Sequence, residues 1–464
     1  MRKMRARPVP YALAVTRVAA SITASQQTGA RTPISERGFG ALLGGIALAG
    51  LVIRVSYGLV TEGSSIPKDG LYYHYGAILL TEGEGFADPI VHLFTGDTLP
   101  AAIHPPAWTT VLAVPSIFGL ESELEHQLFA CLIGAVTIVL VGLCARRVAG
   151  PRAGLVGGAI AAVYPFLWIH ERSLLSETLL FPLVAATILT SYHLLDRPGL
   201  LPAVLLGAGC GLLALTRTEQ LLLLPVLVAP LVLTVPSVTL RTRALWLTAA
   251  TGVAALIIAP WVVYNNTRFE ETVLVSTNGG MTLSAANCRA TYSGEMLGYR
   301  DYDCAHGRGD LSVAAVELAD GDHSVLDSRL REKGTRYARA HLTRLPAVVL
   351  AREGRAFGVY RPFQQMHLDA WDTSVWNLRV GFLLYWLLVP VAVVGAVVLR
   401  RRRVALWPLL AFVVIVAAAV ALAYGNTRYR APTEVPLVVL GAVGVDAMLR
   451  RLQLRTAVHA LRCS

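Results

Sequence analysis

The stretch Leu128-Phe129-Ala130-Cys131-Leu132-Ile133-Gly134-Ala135-Val136-Thr137-Ile138-Val139-Leu140-Val141-Gly142-Leu143-Cys144-Ala145-Arg146-Arg147 holds 18 residues without a charge and closes on two arginines. At 1.5 Å per residue it reaches about 27 Å, close to the ~30 Å hydrocarbon core of a bilayer. Similar blocks recur along the 464 residues, of which 55% are hydrophobic and 15% charged. A soluble chain carries about 25% charged residues. Composition thus excludes a soluble enzyme, a disordered chain and a secreted disulfide scaffold, and leaves an all-α polytopic membrane protein.

Working outward, spans are expected near 38–60, 127–145, 153–169, 174–191, 200–216, 219–236, 244–264, 378–399, 404–424 and 432–448. The apolar block 106–120 is too short to cross and reads as an interfacial helix. The expected layout is a cytoplasmic tail (1–37), an N-terminal transmembrane module (38–264) with a first outer loop (61–126), a long outer segment (265–377), C-terminal transmembrane helices (378–448) and a second cytoplasmic tail (449–464). No fixed-period repeat and no matched pair of broken helices is visible, which weakens a transporter reading.

Charge gives the orientation. The net charge of +11 comes from 41 basic and 30 acidic residues, and only Lys3, Lys68 and Lys333 are lysines. With both ends inside, the inner segments collect 21 basic residues against three acids, Glu36, Asp196 and Asp446. The remainder is net negative. This asymmetry follows the positive-inside rule and makes nucleic acid an unneeded partner. The Arg/Ala/Val/Leu/Gly bias fits a GC-rich bacterial genome, such as an actinobacterium's.

Cys131, Cys144 and Cys210 lie in apolar blocks, and Cys463 is in the tail. Cys288 and Cys304 fall in the long outer segment, where a disulfide between them is expected to persist. No Cys or His spacing suggests zinc. Asp301-Tyr302-Asp303 mimics a metal-binding DxD, but a metal-bound nucleotide sugar belongs on the other side of the membrane.

Charged residues cluster on the outer face, which makes them functional candidates. Asp69 opens an aromatic-rich helix, as a cap or as a reactive acid. His104 precedes Pro105-Pro106. Ser176-Glu177 stands just inside an apolar block, so Glu177 needs a partner, from Arg172 or the first outer segment. Arg217 stands at the membrane edge. Tyr424-Gly425-Asn426-Thr427-Arg428-Tyr429-Arg430 offers two arginines and Tyr429 as a phosphate clamp or as an interfacial belt. Arg352 and Arg355 sit on a half-apolar stretch expected to lie along the membrane. One face with two separated carboxylates and several arginines is equipped for glycosyl transfer from a lipid phosphate.

These residues resemble the first loop and second acidic site of the membrane-integral GT-C glycosyltransferases, in the branch of the family 39 protein mannosyltransferases and the lipid A aminoarabinose transferases. The resemblance rests on Asp69, Ala77, Leu79, Gly83, Gly85 and His104-Pro105-Pro106. It extends to Leu174-Leu175-Ser176-Glu177, Ala214-Leu215-Thr216-Arg217 and Arg428-Tyr429-Arg430-Ala431-Pro432. It implies an inverting transfer from a polyprenyl-phosphate sugar, on the extracytoplasmic face of the plasma membrane, without nucleotide, cofactor or essential metal. Asp69 becomes the catalytic base and Glu177 the supporting acid. Arg217, Arg428 and Arg430 become phosphate ligands, with His104, Arg172 and Tyr429 in support. Asp69 lies between Lys68 and Gly70, without the paired acid of the protein mannosyltransferases, so glycan, lipid and protein acceptors all stay open. A lipid or sugar transporter, and a polymerase or ligase of surface polysaccharide, are the competing readings.

Topology is directly testable. A reporter fused after Asp310 should read as external and one after Arg402 as cytoplasmic; the opposite pattern would overturn the sidedness of every site residue.

Overall fold

The computed structural model describes residues 34–61, 66–236, 238–306, 321–370 and 374–463. Most of the expected N-terminal tail and the segment 307–320 lie outside the described residues. The chain divides into two units, Met1–Leu42 and Leu43–Ser464.

The apolar blocks become helices: α1 (Glu36–Val60), α2 (Lys68–Glu82), α3 (Ala107–Ser116), α4 (Glu123–Ala149), α5 (Pro151–Val163), α6 (Glu177–Asp196), α7 (Leu200–Ala214), α8 (Leu240–Asn266), α9 (Gly279–Ala286), α10 (His323–Ala340), α11 (Leu345–Ala356), α12 (Val375–Arg401), α13 (Trp407–Leu422) and α14 (Ala431–Cys463). Shorter helical turns lie between them. Five of these, α1, α4, α6, α8 and α12, are long and apolar enough to cross a bilayer alone. Residues 151–163, 200–214, 218–234 and 407–422 form shorter apolar helices. Among the described residues the only extended pairing is an isolated bridge between Ala87 and Pro100.

Local chemistry explains where boundaries depart from the hydropathy reading. Helix α4 starts earlier than the apolar run, at Glu123, because Ser122 and Glu125 form a reciprocal capping box. Helix α5 stops at Val163. Pro165 cannot donate to the ladder and drives Tyr164 into an extended conformation (ψ 114°). The expected span 219–236 is not one clean helix. It runs as a 3-10 turn (Thr218–Leu222), a π turn (Leu224–Val228) and an α turn (Ala229–Thr234), because Pro225 and Pro230 each remove a donor. Helix α14 continues from the expected span 432–448 into the expected tail as far as Cys463, since no Gly or Pro follows Gly444.

The principal core is formed from α4, α5, α6, α7, α12, α13 and α14, with Ile138, Leu180, Leu206, Phe382, Phe412 and Val439 fully or almost fully buried. Helices α12 and α14 meet through small residues. A Cβ on Gly395 would stand 1.9 Å from Leu440 O, and one on Gly444 would stand 2.1 Å from Val391 O. Such close approach is how helices gain contact where lipid gives no hydrophobic drive.

One ion pair is embedded in this bundle. Arg54 of α1 donates to Glu171 Oε1 (2.9 Å) and to the carbonyls of Ala161 and Ala162 at the C-terminal end of α5 (3.1 and 3.0 Å). Those carbonyls have no helical partner of their own, and a cation suits that end of the dipole. Gly134 makes the room: a Cβ there would stand 1.9 Å from Glu171 Oε1. In the outer segment, Cys288 and Cys304 are disulfide-bonded, 6.2 Å apart at Cα.

Breaking a buried pair from one side costs about 3–5 kcal/mol, because the remaining charge stays buried and unpaired. Arg54→Met should therefore lower the thermal midpoint of the detergent-purified protein sharply. Arg54→Met combined with Glu171→Leu should recover much of the loss. A single variant as stable as the parent protein would show that the pair constrains nothing.

Candidate active site

Four segments far apart in sequence converge on one chain of alternating charges. Asp69 stands in the first turn of α2, Glu177 opens α6, Arg217 precedes the 3-10 turn after α7, and Arg428 lies in the 3-10 turn Thr427–Arg430 before α14. Arg428 Nη1 donates to Asp69 Oδ2 at 2.8 Å. Its Nε and Nη2 donate to the two oxygens of Glu177 at 3.0 and 3.3 Å. Arg217 Nη1 donates to Glu177 Oε1 and Arg217 Nε to Glu219 Oε1, both at 2.7 Å.

Exposure grades along the chain. The Glu177 side chain is 0% exposed, Arg428 18% and Asp69 37%. Glu177 is thus the buried anchor, and Asp69 is the acid that keeps access to solvent. Asp69 is not a helix cap: Pro67 holds that position, and no side chain caps α2. Burial pushes the Asp69 carboxyl up, but the Arg428 guanidinium, and after it His104, hold it down to about 2.

Helix α2 is brought to this point by a close approach of backbone. A Cβ on Gly70 would stand 2.2 Å from Ser173 O. Only glycine lets the start of α2 settle on the turn that leads into α6 and so bring Asp69 towards Glu177.

The supporting residues divide. His104 packs on the rings of Tyr72 and Tyr73 (centroids 5.0 Å in each case), with Nε2 3.8 Å from Asp69 Oδ1. Burial lowers the His104 pKa, partly offset by Asp69. Tyr429 lies under the Arg217 guanidinium at 5.5 Å. Arg172 donates to the Thr61 hydroxyl (3.1 Å) and carbonyl (2.9 Å); the cations on Glu177 come from Arg217 and Arg428.

Arg430 is a correction. Its side chain is 0% exposed and turns into the bundle, donating to Glu434 Oε1 at 2.6 Å and standing 3.8 Å from the Tyr385 ring centroid. Over the two residues from Arg428 to Arg430, the tight turn aims these side chains in different directions. Arg430 therefore locks the base of α14 and leaves the clamp to others.

Arg300 enters from the long outer segment, unforeseen in the sequence. It donates to the Tyr424 hydroxyl at 3.0 Å and lies over the rings of Tyr302 (5.0 Å), Tyr424 (5.3 Å) and Tyr299 (5.6 Å). Its charge contributes to lowering the Asp69 pKa. The one signal for it was a lone arginine between tyrosines, next to the tripeptide that mimics a metal motif. Among the described residues no group of three His, Cys, Asp or Glu is placed to hold a metal.

The chain is a polytopic helical membrane protein whose fold is similar to that of the Archaeoglobus fulgidus oligosaccharyltransferase. Residues 104–264 match the family model described as dolichyl-phosphate-mannose-protein mannosyltransferase. The chain resembles the crystal structure of the Archaeoglobus fulgidus oligosaccharyltransferase in complex with Zn and sulfate, with TM-score 0.51 and 15% identity over 91% of this chain and 51% of that one. It resembles the same enzyme tethered to an acceptor peptide containing the NVT sequon, with TM-score 0.53 and 14% identity over 92% and 51%. ArnT from Cupriavidus metallidurans bound to undecaprenyl phosphate aligns at TM-score 0.42 and 16% identity, over 89% and 79%. The chain spans about half the length of the archaeal chains it matches. No curated protein matches it.

If Gly70 is what seats α2, Gly70→Ala must push it off Ser173. Overpacking of this kind costs about 1–3 kcal/mol. The variant should show a lowered thermal midpoint, and Gly252→Ala, in helical backbone where a Cβ meets nothing within 4 Å, gives the control for an added methyl. Equal effects of the two would rule out the close approach as the cause.

Proposed function

We propose that this chain transfers a sugar from a polyprenyl-phosphate-linked donor to an acceptor hydroxyl on a cell-envelope glycan, lipid or protein. The reaction runs with inversion at the extracytoplasmic face of the plasma membrane. One observation carries the reading: a single guanidinium, Arg428, holds a fully buried carboxylate and a cleft-facing one at the same time. The GT-C fold and the family model over 104–264, whose description names a lipid-phosphate mannose donor, support it.

In this scheme Asp69 is the general base. The acceptor oxygen forms its bond to the anomeric carbon from the face opposite the leaving group. The bond from that carbon to the phosphate oxygen breaks, and its electron pair leaves with the phosphate. The hydroxyl proton passes to Asp69 late, as the new bond forms. Glu177 is a positioning residue: it orients Arg428, which orients Asp69. The lipid phosphate is itself the leaving group, and the scheme draws on no cofactor.

Charge matching decides which arginine meets the phosphate. Arg217 and Arg428 face three carboxylates, Asp69, Glu177 and Glu219. Arg300 has no carboxylate within ion-pair distance among the described residues, and its side chain meets tyrosines instead. We therefore assign the developing phosphate charge first to Arg300, with Arg428 behind it.

The test is turnover with a polyprenyl-phosphate sugar in a reconstituted bilayer. Asp69→Asn removes the base and no cap, and should cost about 10²–10⁴-fold in turnover with donor binding largely kept. Because Asp69 is held near 2, it is ionised throughout, and no acid limb from it should appear from about pH 5 upward. In Arg428→Ala the main lowering influence is gone and burial is left to raise the carboxyl. Residual activity should then fall as pH is lowered through the raised value. Near-normal turnover in Asp69→Asn would reject the assignment of the base.

A further inference from the structure

Helix α11 reads Leu345-Pro346-Ala347-Val348-Val349-Leu350-Ala351-Arg352-Glu353-Gly354-Arg355-Ala356. In an ordinary amphipathic helix its arginines would face water. Here they face the protein: Arg352 is 1% exposed and Arg355 0%. Arg352 donates to the carbonyls of Ala421 and Ala286, both at 2.7 Å, and to Asn287 Oδ1 at 3.0 Å. Arg355 donates to Leu297 O (2.7 Å), Glu295 O (2.6 Å) and the side-chain oxygens of Gln364 and Gln365 (3.0 Å each).

The opposite face is apolar and bare. Pro346 and Ala347 are exposed, and Leu350, one turn on, is 74% exposed. Leu342 just before the helix is 61% exposed, and Val359 and Phe363 just after it are 67% and 78% exposed. Water would not tolerate so continuous an apolar strip without a partner.

Two further observations say what covers it. Through Arg352, α11 is tied to Ala421 in the last turn of α13, a wholly apolar helix whose neighbouring Leu422 is 69% exposed. The bare face therefore stands at the end of a membrane helix, where hydrocarbon gives way to headgroups. Exposed arginines border it: Arg339 ends α10, Arg344 precedes α11 and bonds Tyr292 O, and Arg361 follows and bonds Glu295 O. Two acids lie here: Glu353, one turn beyond Leu350, is half-buried, and burial pushes its carboxyl up to about 7, while Glu295, whose carbonyl accepts from Arg361, is exposed. The three exposed arginines outnumber them.

We propose that α11 lies in the plane of the membrane interface, with Leu342, Leu350, Val359 and Phe363 among the acyl chains and Arg339, Arg344 and Arg361 against anionic lipid headgroups. Apolar area and basic residues in this arrangement are what bind a helix to an anionic surface. This inference rests on the membrane fold and not on the catalytic reading. It bears on the cleft all the same. The inner face of α11 holds the carbonyls of 286–297, the stretch that leads to Arg300, so lipid seating and the position of Arg300 are mechanically linked.

The experiment uses the full chain in nanodiscs of phosphatidylcholine with about a quarter phosphatidylglycerol. Cys131, Cys144 and Cys210 are buried and Cys288–Cys304 is bridged, so Cys463→Ser leaves a clean background. Leu350→Cys changes only an exposed side chain, and carries a nitroxide. Glu332→Cys, at an exposed side chain of α10, is the aqueous reference. Collisions with oxygen should exceed those with a water-soluble nickel complex several-fold at 350, and the order should reverse at 332. Nickel access at 350 equal to that at 332 overturns the proposal. Dipolar broadening between labels at 350 would mean that a second copy covers this face, and overturns it as well. Replacing Arg339, Arg344 and Arg361 with Gln should abolish the deepening that anionic lipid produces at 350. A label depth independent of phosphatidylglycerol in the parent protein overturns the headgroup assignment.

Discussion

The arrangement of the cleft depends on Arg428 being shared between two carboxylates. A guanidinium can hold one carboxylate in a bidentate fork and still reach another, which an ammonium cannot do with the same geometry. Here the fork is taken by Glu177, fully buried at the start of α6, and the further reach by Asp69 on α2. Glu177 could not be carried into the bundle without two cations, and Arg217 provides the second. The cost of burying that acid is met where four segments join. The low Asp69 pKa, the placement of His104 beside it and the contact of Arg217 with Tyr429 all follow from the same junction.

Two other buried ion pairs serve the bundle. Arg54 with Glu171, and Arg430 with Glu434, are pairs that also bond helix-end carbonyls or a phenol. Arg54 reaches Ala161 and Ala162, Arg430 reaches Ala356 O, and Tyr164 donates to Glu434 at 2.8 Å. In a bilayer the backbone groups freed at breaks such as Tyr164-Pro165 have no water to turn to. The arginines supply the missing donors. This is why Arg430, two positions from Arg428, is structural: its carboxylate and carbonyl partners lie inside the bundle, whereas those of Arg428 lie at the cleft.

Much of this was legible along the chain. Uncharged blocks near 18 residues announced the helices, and arginines at their ends argued a topology. Asp69, His104, Glu177, Arg217 and Arg428 stood out as charged or polar groups beside apolar runs, where bare charge is expensive. Two kinds of feature did not show. The direction of a side chain at a turn, which separates Arg428 from Arg430, is a property of backbone dihedrals that spacing does not encode. The approach of Arg300 to Asp69 depends on how the long outer segment folds back, which no local pattern around Arg300 encodes. The arginines of α11 show the same limit: an apparently half-apolar stretch reads alike whether the charges face the protein or the water.

Sequence alone determined that this is a helical membrane protein, because hydrocarbon admits few charges and demands that the backbone satisfy itself. It also determined which residue types were available at the outer face for chemistry. Only the tertiary structure decided which acid is buried and which is open, which cations answer them, and that Gly70 rather than a larger residue must meet Ser173. Those outcomes turn on distances of about 3 Å between groups 40 to 359 positions apart. Pairings of that kind are selected by the packing of whole helices and not by any local preference of the residues that make them.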